Sequence, residues 1–206
     1  MTLTKTLFAA TAISALAIAG TALAKIETGS NVADMTVTDS NGVQHNLSDF
    51  AGKKLILEWT NSDCPFVRKH YSTDNMQNTQ KYATADENTV WLSIISSAPG
   101  NQGYVEGERA NELTVERDAA PTAVVLDPAG VTGRAFDAKT TPHMFIIDES
   151  QTLVYQGAID DNRSSNPATV EGATNYVVAA LDDLSAGRDI ATAETSPYGC
   201  TVKYDS

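Results

Sequence analysis

Short apolar runs separated by polar segments fill the chain, and their period switches between that of a strand and that of a helix. Residues 55–57, 89–96 and 122–126 are continuous apolar stretches of strand length, the mark of strands covered on both faces. Residues 35–38 and 43–47 flank Ser40-Asn41-Gly42 and predict a small hairpin around an Asn-Gly turn. Residues 143–148 and 151–157 predict two further strands joined by a turn at Glu149-Ser150. Between these, residues 65–85 read as one polar, helix-compatible stretch with Phe66, Tyr71 and Met76 turned to the core, and 105–117 fit a short charged helix. Near the end, Val170, Ala173, Val177, Ala180, Leu181 and Leu184 recur at helical spacing, with Asn166-Pro167 predicted to open the helix and Gly187 to close it. A strand–helix–strand start, a strand pair and a closing helix predict an α/β fold, a central mixed sheet flanked by helices with the hairpin as an N-terminal extension.

The first residues do not fit that pattern. Lys5 gives a short positive start, residues 7–20 are apolar and small, and Ala22-Leu23-Ala24 has the small-x-small form that signal peptidase reads. The reading is a signal peptide over 1–24 and one domain over 25–206, exported and, in a bacterium, periplasmic. The apolar run is shorter than the roughly 20 residues of a membrane span, so an uncleaved anchor is the lesser alternative. Charge sharpens the picture: 14 basic against 26 acidic residues, a formal charge of −12, is the wrong sign for tracking phosphates or anionic membranes. With hydrophobic residues at 42% a packed core is within reach. Two cysteines, Cys64 and Cys200, exclude a zinc ribbon or a dense disulfide scaffold and leave at most one bridge, which an oxidising compartment permits.

Cys64 is the candidate for chemistry. It follows a buried strand across the loop Thr60-Asn61-Ser62-Asp63 and stands directly before Pro65, a residue favoured at the first helical position, so Cys64 is the predicted N-cap. Unpaired N–H groups and the positive end of the helix dipole there favour the thiolate over the thiol. Arg68, one turn on, adds a positive charge to the same face, and Asp63 opposes it. A buried structural cysteine is the competing reading. Thr141-Pro142 stands at the mouth of the apolar strand 143–148, where a proline cannot join the ladder; a cis peptide bond is one reason for it to be there.

These residues carry a resemblance. L-I-L-E-W at 55–59 followed by N-S-D-C-P-F-V-R-K-H-Y at 61–71 resembles the redoxin branch of the thioredoxin superfamily, in particular exported peroxiredoxin-like proteins with an N-x-x-C-P-F/Y-V motif. T-P-H-M-F-I-I-D at 141–148 is similar to that family's cis-proline strand, and Y-G-C-T-V-K-Y at 198–204 to a second signature around a cysteine. The resemblance spans about 32–204 and implies a thioredoxin-like fold. The chain also departs from the family. A thioredoxin has a second cysteine where Val67 stands, and a peroxiredoxin has a threonine where Asn61 stands and an arginine where Pro142 stands. Fast peroxide reduction is therefore not implied, although Arg68, Arg109, Arg117 or Arg134 are available as substitutes.

Cys200, in a tail bearing Pro197 and Gly199, is the remaining candidate for a partner thiol. Two readings stay open: a redox pair in which Cys64 attacks and Cys200 resolves, or a permanent bridge that ties down the tail. His70 lies on a different helical face from the thiol, whereas His143, beside Pro142, is a possible site residue. A Cu(I) site from Cys64, Cys200 and a histidine is chemically conceivable, but the Cys-x-x-x-Cys spacing that would argue for it is absent, so no metal and no cofactor is expected. The sequence reading is thus an exported thiol–disulfide oxidoreductase with Cys64 as nucleophile, Cys200 as resolving thiol, and Asn61, Pro65, Arg68, Thr141 and Pro142 shaping the site. Thr141-Pro142 is expected to offer backbone for pairing with a substrate chain. Its partners would be a protein or small-molecule thiol or disulfide and an electron donor, with no nucleic acid and no membrane insertion. The alternatives are a slow thiol peroxidase, or a non-catalytic metal- or partner-binding module with a structural bridge.

Overall fold

The apolar runs become the middle of a seven-stranded mixed sheet of order β2-β1-β5-β4-β3-β7-β8. The computed structural model describes residues 25–32 and 34–205, and the predicted signal peptide lies outside the described residues. β3 (Lys54–Trp59), β4 (Thr89–Ile95) and β5 (Ala123–Leu126) are parallel to one another. β7 (His143–Ile147) runs antiparallel to β3, and β8 (Leu153–Gly157) antiparallel to β7. Every residue of β3, β4 and β7 is buried, as strands covered on both faces require. The hairpin of β1 (Thr36–Asp39) and β2 (Gln44–Asn46) extends the sheet beyond β5.

The two faces of the sheet are filled differently. One carries Ile56, Trp91, Met144 and Ile146, covered by Val67, Tyr71, Met76, Val177 and Leu181 from the helices α1 (Pro65–Ser72), α2 (Asn75–Thr84) and α5 (Tyr176–Ser185). The other carries Leu55, Leu57, Trp59, Phe145 and Ile147 against Phe136, Leu47 and Val202. On that second face Trp59, Phe136 and Phe145 form a tilted and edge-to-face aromatic cluster with centroids 5.0 to 5.5 Å apart. Among the described residues no helix is long and apolar enough to cross a membrane.

Two expectations need correction. The stretch 65–85 is two helices, because the Ser-Thr-Asp-Asn run at 72–75 supplies groups that compete with the helix ladder: Thr73 Oγ1 donates back to the Lys69 carbonyl, and Asp74 takes a left-handed conformation with φ 57°. The C-terminal helix starts at Tyr176, not Pro167. Asn166 caps a single 3₁₀ turn, Pro167–Thr169, whereas the Asn175 side chain accepts from both Val177 N and Val178 N and opens the true helix. Between β5 and β7 lie α4 (Val131–Ala135) and β6 (Thr140–Thr141), and near the end β9 (Cys200–Thr201). These are too short to leave a periodic signal in the sequence. α3 (Gly107–Glu116) falls where the charged helix was expected.

Candidate functional site

The carboxyl end of β3 leads into a loop built around Asn61. Its Oδ1 accepts from Asp63 N at 2.9 Å, its Nδ2 donates to the Gln102 carbonyl at 3.2 Å, and its own carbonyl accepts from Cys64 N at 3.1 Å. Gly103 lies against this amide; a Cβ there would come within 2.3 Å of it, so only glycine allows the contact. Asn61 is 2% exposed and acts as the framework of the loop. The loop delivers Cys64 to the N-cap of α1 with Pro65 behind it, as the sequence predicts.

The Cys64 thiol is fully buried, and its Sγ donates to the Thr141 carbonyl at 3.1 Å. The Thr141–Pro142 peptide bond is cis. Two elements far apart in sequence, the start of α1 and the mouth of β7, therefore meet at one sulfur. A third joins them. β9 pairs antiparallel with β6, Thr140 opposite Thr201 and Thr141 opposite Cys200, which brings the half-buried Cys200 beside Cys64. Burial, then the contact with the adjacent Cys64 sulfur, push the Cys200 thiol up to about 12, against a weaker pull from Lys203. Both cysteines are free in this structure. The Thr141 backbone expected to receive a substrate chain is thus already paired with the protein's own tail.

The tail is held by an anchor whose members, Lys69, His70 and Tyr198, stand in the quoted motifs but whose contact with one another and with Asp160 was not foreseen. Tyr198, two residues before Cys200, donates its hydroxyl to Asp160 and lies against His70 Nε2 at 3.1 Å. Lys69 Nζ meets Asp160 at 3.3 Å and donates to the Asn162 carbonyl at 2.8 Å. Both members of this ion pair are buried, 0% and 2% exposed. Phe66 packs edge-on to the Tyr198 ring at 5.9 Å. Burial and then Asp160 hold the Tyr198 phenol far above its ordinary range, so it remains a donor. Burial lowers His70 to about 4 and keeps it neutral. A second buried acid, Glu58, is satisfied by Tyr71 Oη, Gln80 Nε2, Trp91 Nε1 and Ser93 Oγ. Polar partners this distant in sequence leave no local pattern.

Other predicted residues lie elsewhere. Arg68 turns back to the Ser62 carbonyl at 3.0 Å and to Asp63 at 3.3 Å, so its charge is spent on the exposed loop and is not beside the sulfur. His143 is on the opposite face of the sheet from Cys64: its ring lies 4.4 Å from Phe145, and its Nδ1 accepts from Lys139 N. Burial takes it to about 3. It lines a cleft of about 360 Å³ with Lys25, Asp137, Lys139, Thr140 and Glu194, and Cys64 is not in the walls of that cleft. Arg109 pairs with Glu112 and Glu116, Arg117 stacks on Tyr71, and Arg134 stacks on Tyr204, which leaves all three engaged away from Cys64. Among the described residues, no group of three or more His, Cys, Asp or Glu is arranged to hold a metal ion.

The architecture is that of known thioredoxin-like proteins. A hypothetical protein from Sinorhizobium meliloti matches at 23% identity and TM-score 0.72 over 88% of this chain and 97% of its own. An uncharacterized conserved protein from Geobacillus kaustophilus matches at 22% and 0.74 over 87% and 93%. A putative thiol:disulfide interchange protein DsbE from Chlorobium tepidum matches at 20% and 0.51 over 64% and 85%. No curated protein matches the chain. The Redoxin family matches residues 27–175, well over half of the sequence and all of it from the N-terminal hairpin to the cap of the last helix, and the chain belongs to that family.

Proposed function

We propose that the protein is a thiol–disulfide oxidoreductase in which Cys64 is the nucleophile and Cys200 resolves the mixed disulfide. The observation that carries this reading is the meeting of the two sulfurs where the α1 N-terminus faces the Thr141–Pro142 turn. As a thiolate at that helix end, Cys64 attacks one sulfur of a substrate disulfide. The S–S bond breaks, and its electron pair leaves on the other substrate sulfur, which takes a proton. Cys200 gives up its proton and attacks the Cys64 sulfur of the mixed disulfide. That step releases the second substrate thiol and leaves a Cys64–Cys200 disulfide. The substrate gains two electrons and the protein loses two. Asn61 and Pro65 set the position of Cys64, and Thr141 holds its hydrogen in the resting state. The sequence motif at 22–24 supports export, with the periplasm as the compartment.

The experiment is an exchange assay with a disulfide substrate. Cys64→Ser should abolish turnover, and Cys200→Ser should stop it at a mixed disulfide on Cys64. Full activity in Cys64→Ser would overturn the reading. Peroxide reduction is less well supported, because Asn61 and Pro142 stand where its polarising groups belong and the arginines named above are engaged elsewhere.

A further inference from the structure

Access to the two sulfurs is unequal. Cys64 is fully buried beneath the tail, and Cys200 is half-buried with its side reaching the surface. The tail is seated closely: a Cβ on Gly199 would stand 2.0 Å from the Thr141 carbonyl oxygen, so this crossing needs a glycine. On either side of the crossing it is fixed, by Tyr198 in the Asp160–Lys69–His70 cluster and by Val202, which donates its N–H to the Lys139 carbonyl and is buried in the core. The backbone edge at Thr140–Thr141, which could hold an extended polypeptide beside the sulfurs, is filled by Cys200–Thr201.

We infer that the Cys64–Cys200 disulfide is reduced by attack on Cys200, with the tail still seated, and that the electron donor is a low-molecular-weight thiol. This rests on the exchange reading above and names its donor. Access is the first reason. The leaving group is the second: attack on Cys200 expels Cys64 at the N-cap of α1, on the positive end of the helix dipole, whereas attack on Cys64 would expel Cys200 into surroundings whose burial disfavours its charge. The donor thiolate bonds to Cys200 Sγ while the Cys64–Cys200 bond breaks, and its electron pair goes to Cys64 Sγ. A second donor thiolate then attacks the donor sulfur of the mixed disulfide. That step forms the donor disulfide and frees Cys200, and each protein sulfur then takes a proton according to its surroundings. Two thiols are oxidised, and the protein disulfide gains two electrons. A protein donor has no free edge on which to lay its chain, so the seated tail selects against it.

The test uses the full chain oxidised to the Cys64–Cys200 disulfide. It is mixed briefly with reduced glutathione, quenched in acid, alkylated and peptide-mapped. Glutathione should be found on Cys200 in about tenfold or greater excess over Cys64, with Cys64 alkylated. Adducts mainly on Cys64 would overturn the inference and leave the exchange reading standing. A chain that forms no such disulfide would overturn both, and a disulfide that glutathione leaves intact while thioredoxin reduces it would overturn the inference alone. The donor class is read from a second comparison, the rate of reduction by a small protein dithiol such as thioredoxin relative to glutathione. Gly199→Ala, or Tyr198→Phe should the first fail to fold, unseats the tail and should raise that ratio about tenfold; an unchanged ratio would overturn the selection by the tail.

Discussion

The two faces of the sheet share β3, β4 and β7 and are used for opposite ends. The face away from Cys64 is close to an apolar core, with Leu55, Leu57, Trp59, Phe136, Phe145 and Ile147 packed together. The Cys64 face is as deeply buried but carries Glu58, Lys69, His70, Gln80 and Asp160, none of them more than 2% exposed. Apolar packing on the first face fills space and gives stability. Buried polar groups on the second face gain little net energy and constrain geometry instead, because each is costly to leave unpaired. The tail bearing Cys200 is oriented by the polar face and kept in place by the apolar one: Tyr198 reaches into the polar face, and Val202 into the apolar face.

That division can be broken in order of expected effect. Phe145→Ala, on the apolar face, should cost about 3–5 kcal/mol in denaturant unfolding while leaving the alkylation rate of Cys64 in the folded protein unchanged. Lys69→Met should also cost about 3–5 kcal/mol, by stranding the buried Asp160 charge, and the double variant Lys69→Met/Asp160→Leu should recover most of it. Unlike Phe145→Ala, Lys69→Met should speed Cys64 alkylation, because the Tyr198 anchor is lost with it. Equal alkylation rates in the two single variants would remove the distinction between the faces.

Acid offers a smaller test, with one histidine on each face. Burial holds His70 near 4 and His143 near 3, both below the ordinary 6.5. Their charged forms are disfavoured by the fold, so the stability they contribute is present above about 6.5 and is lost as pH falls towards 4 and then 3. Thermal midpoints should drop across that window. His143→Gln and His70→Gln should each make the drop shallower, and only His70→Gln, which touches Tyr198, should alter the Cys64 alkylation rate. The smallest effect belongs to Arg68→Ala. Its exposed pair with Asp63 is worth at most about 1 kcal/mol, and the exchange rate should not change.

How much of this was legible in the sequence depends on how far the cause lies from its effect. The buried strands announce themselves in runs such as Leu55-Ile56-Leu57, and Cys64-Pro65 marks the start of α1 because capping is a local matter. The cis Thr141–Pro142 bond was expected from a strand-opening proline taken together with Cys64. Helix ends fared less well, since Asn166 and Asn175 are equally good caps on paper, and what distinguishes Asn175 is a long-range contact, its Nδ2 donating to Thr79 Oγ1 of α2. Arg68 illustrates competition at short range: Asp63 and the Ser62 carbonyl capture it before it can face the thiol. The pairings of the anchor were not legible, although Lys69, His70 and Tyr198 lie within the quoted motifs. Lys69 and Asp160 are 91 positions apart, and Lys69 and Tyr198 are 129 apart, so nothing in either neighbourhood signals the other.

Everything proposed for the site depends on Cys64 and Cys200 forming a working dithiol. The most direct measurement is the midpoint potential of that couple, taken from mass-shift titration of the protein in glutathione buffers. A working dithiol should give a value between about −120 and −270 mV, the span of known exchange catalysts. A bridge still intact below about −300 mV would contradict it and make the pair a structural tie for the tail.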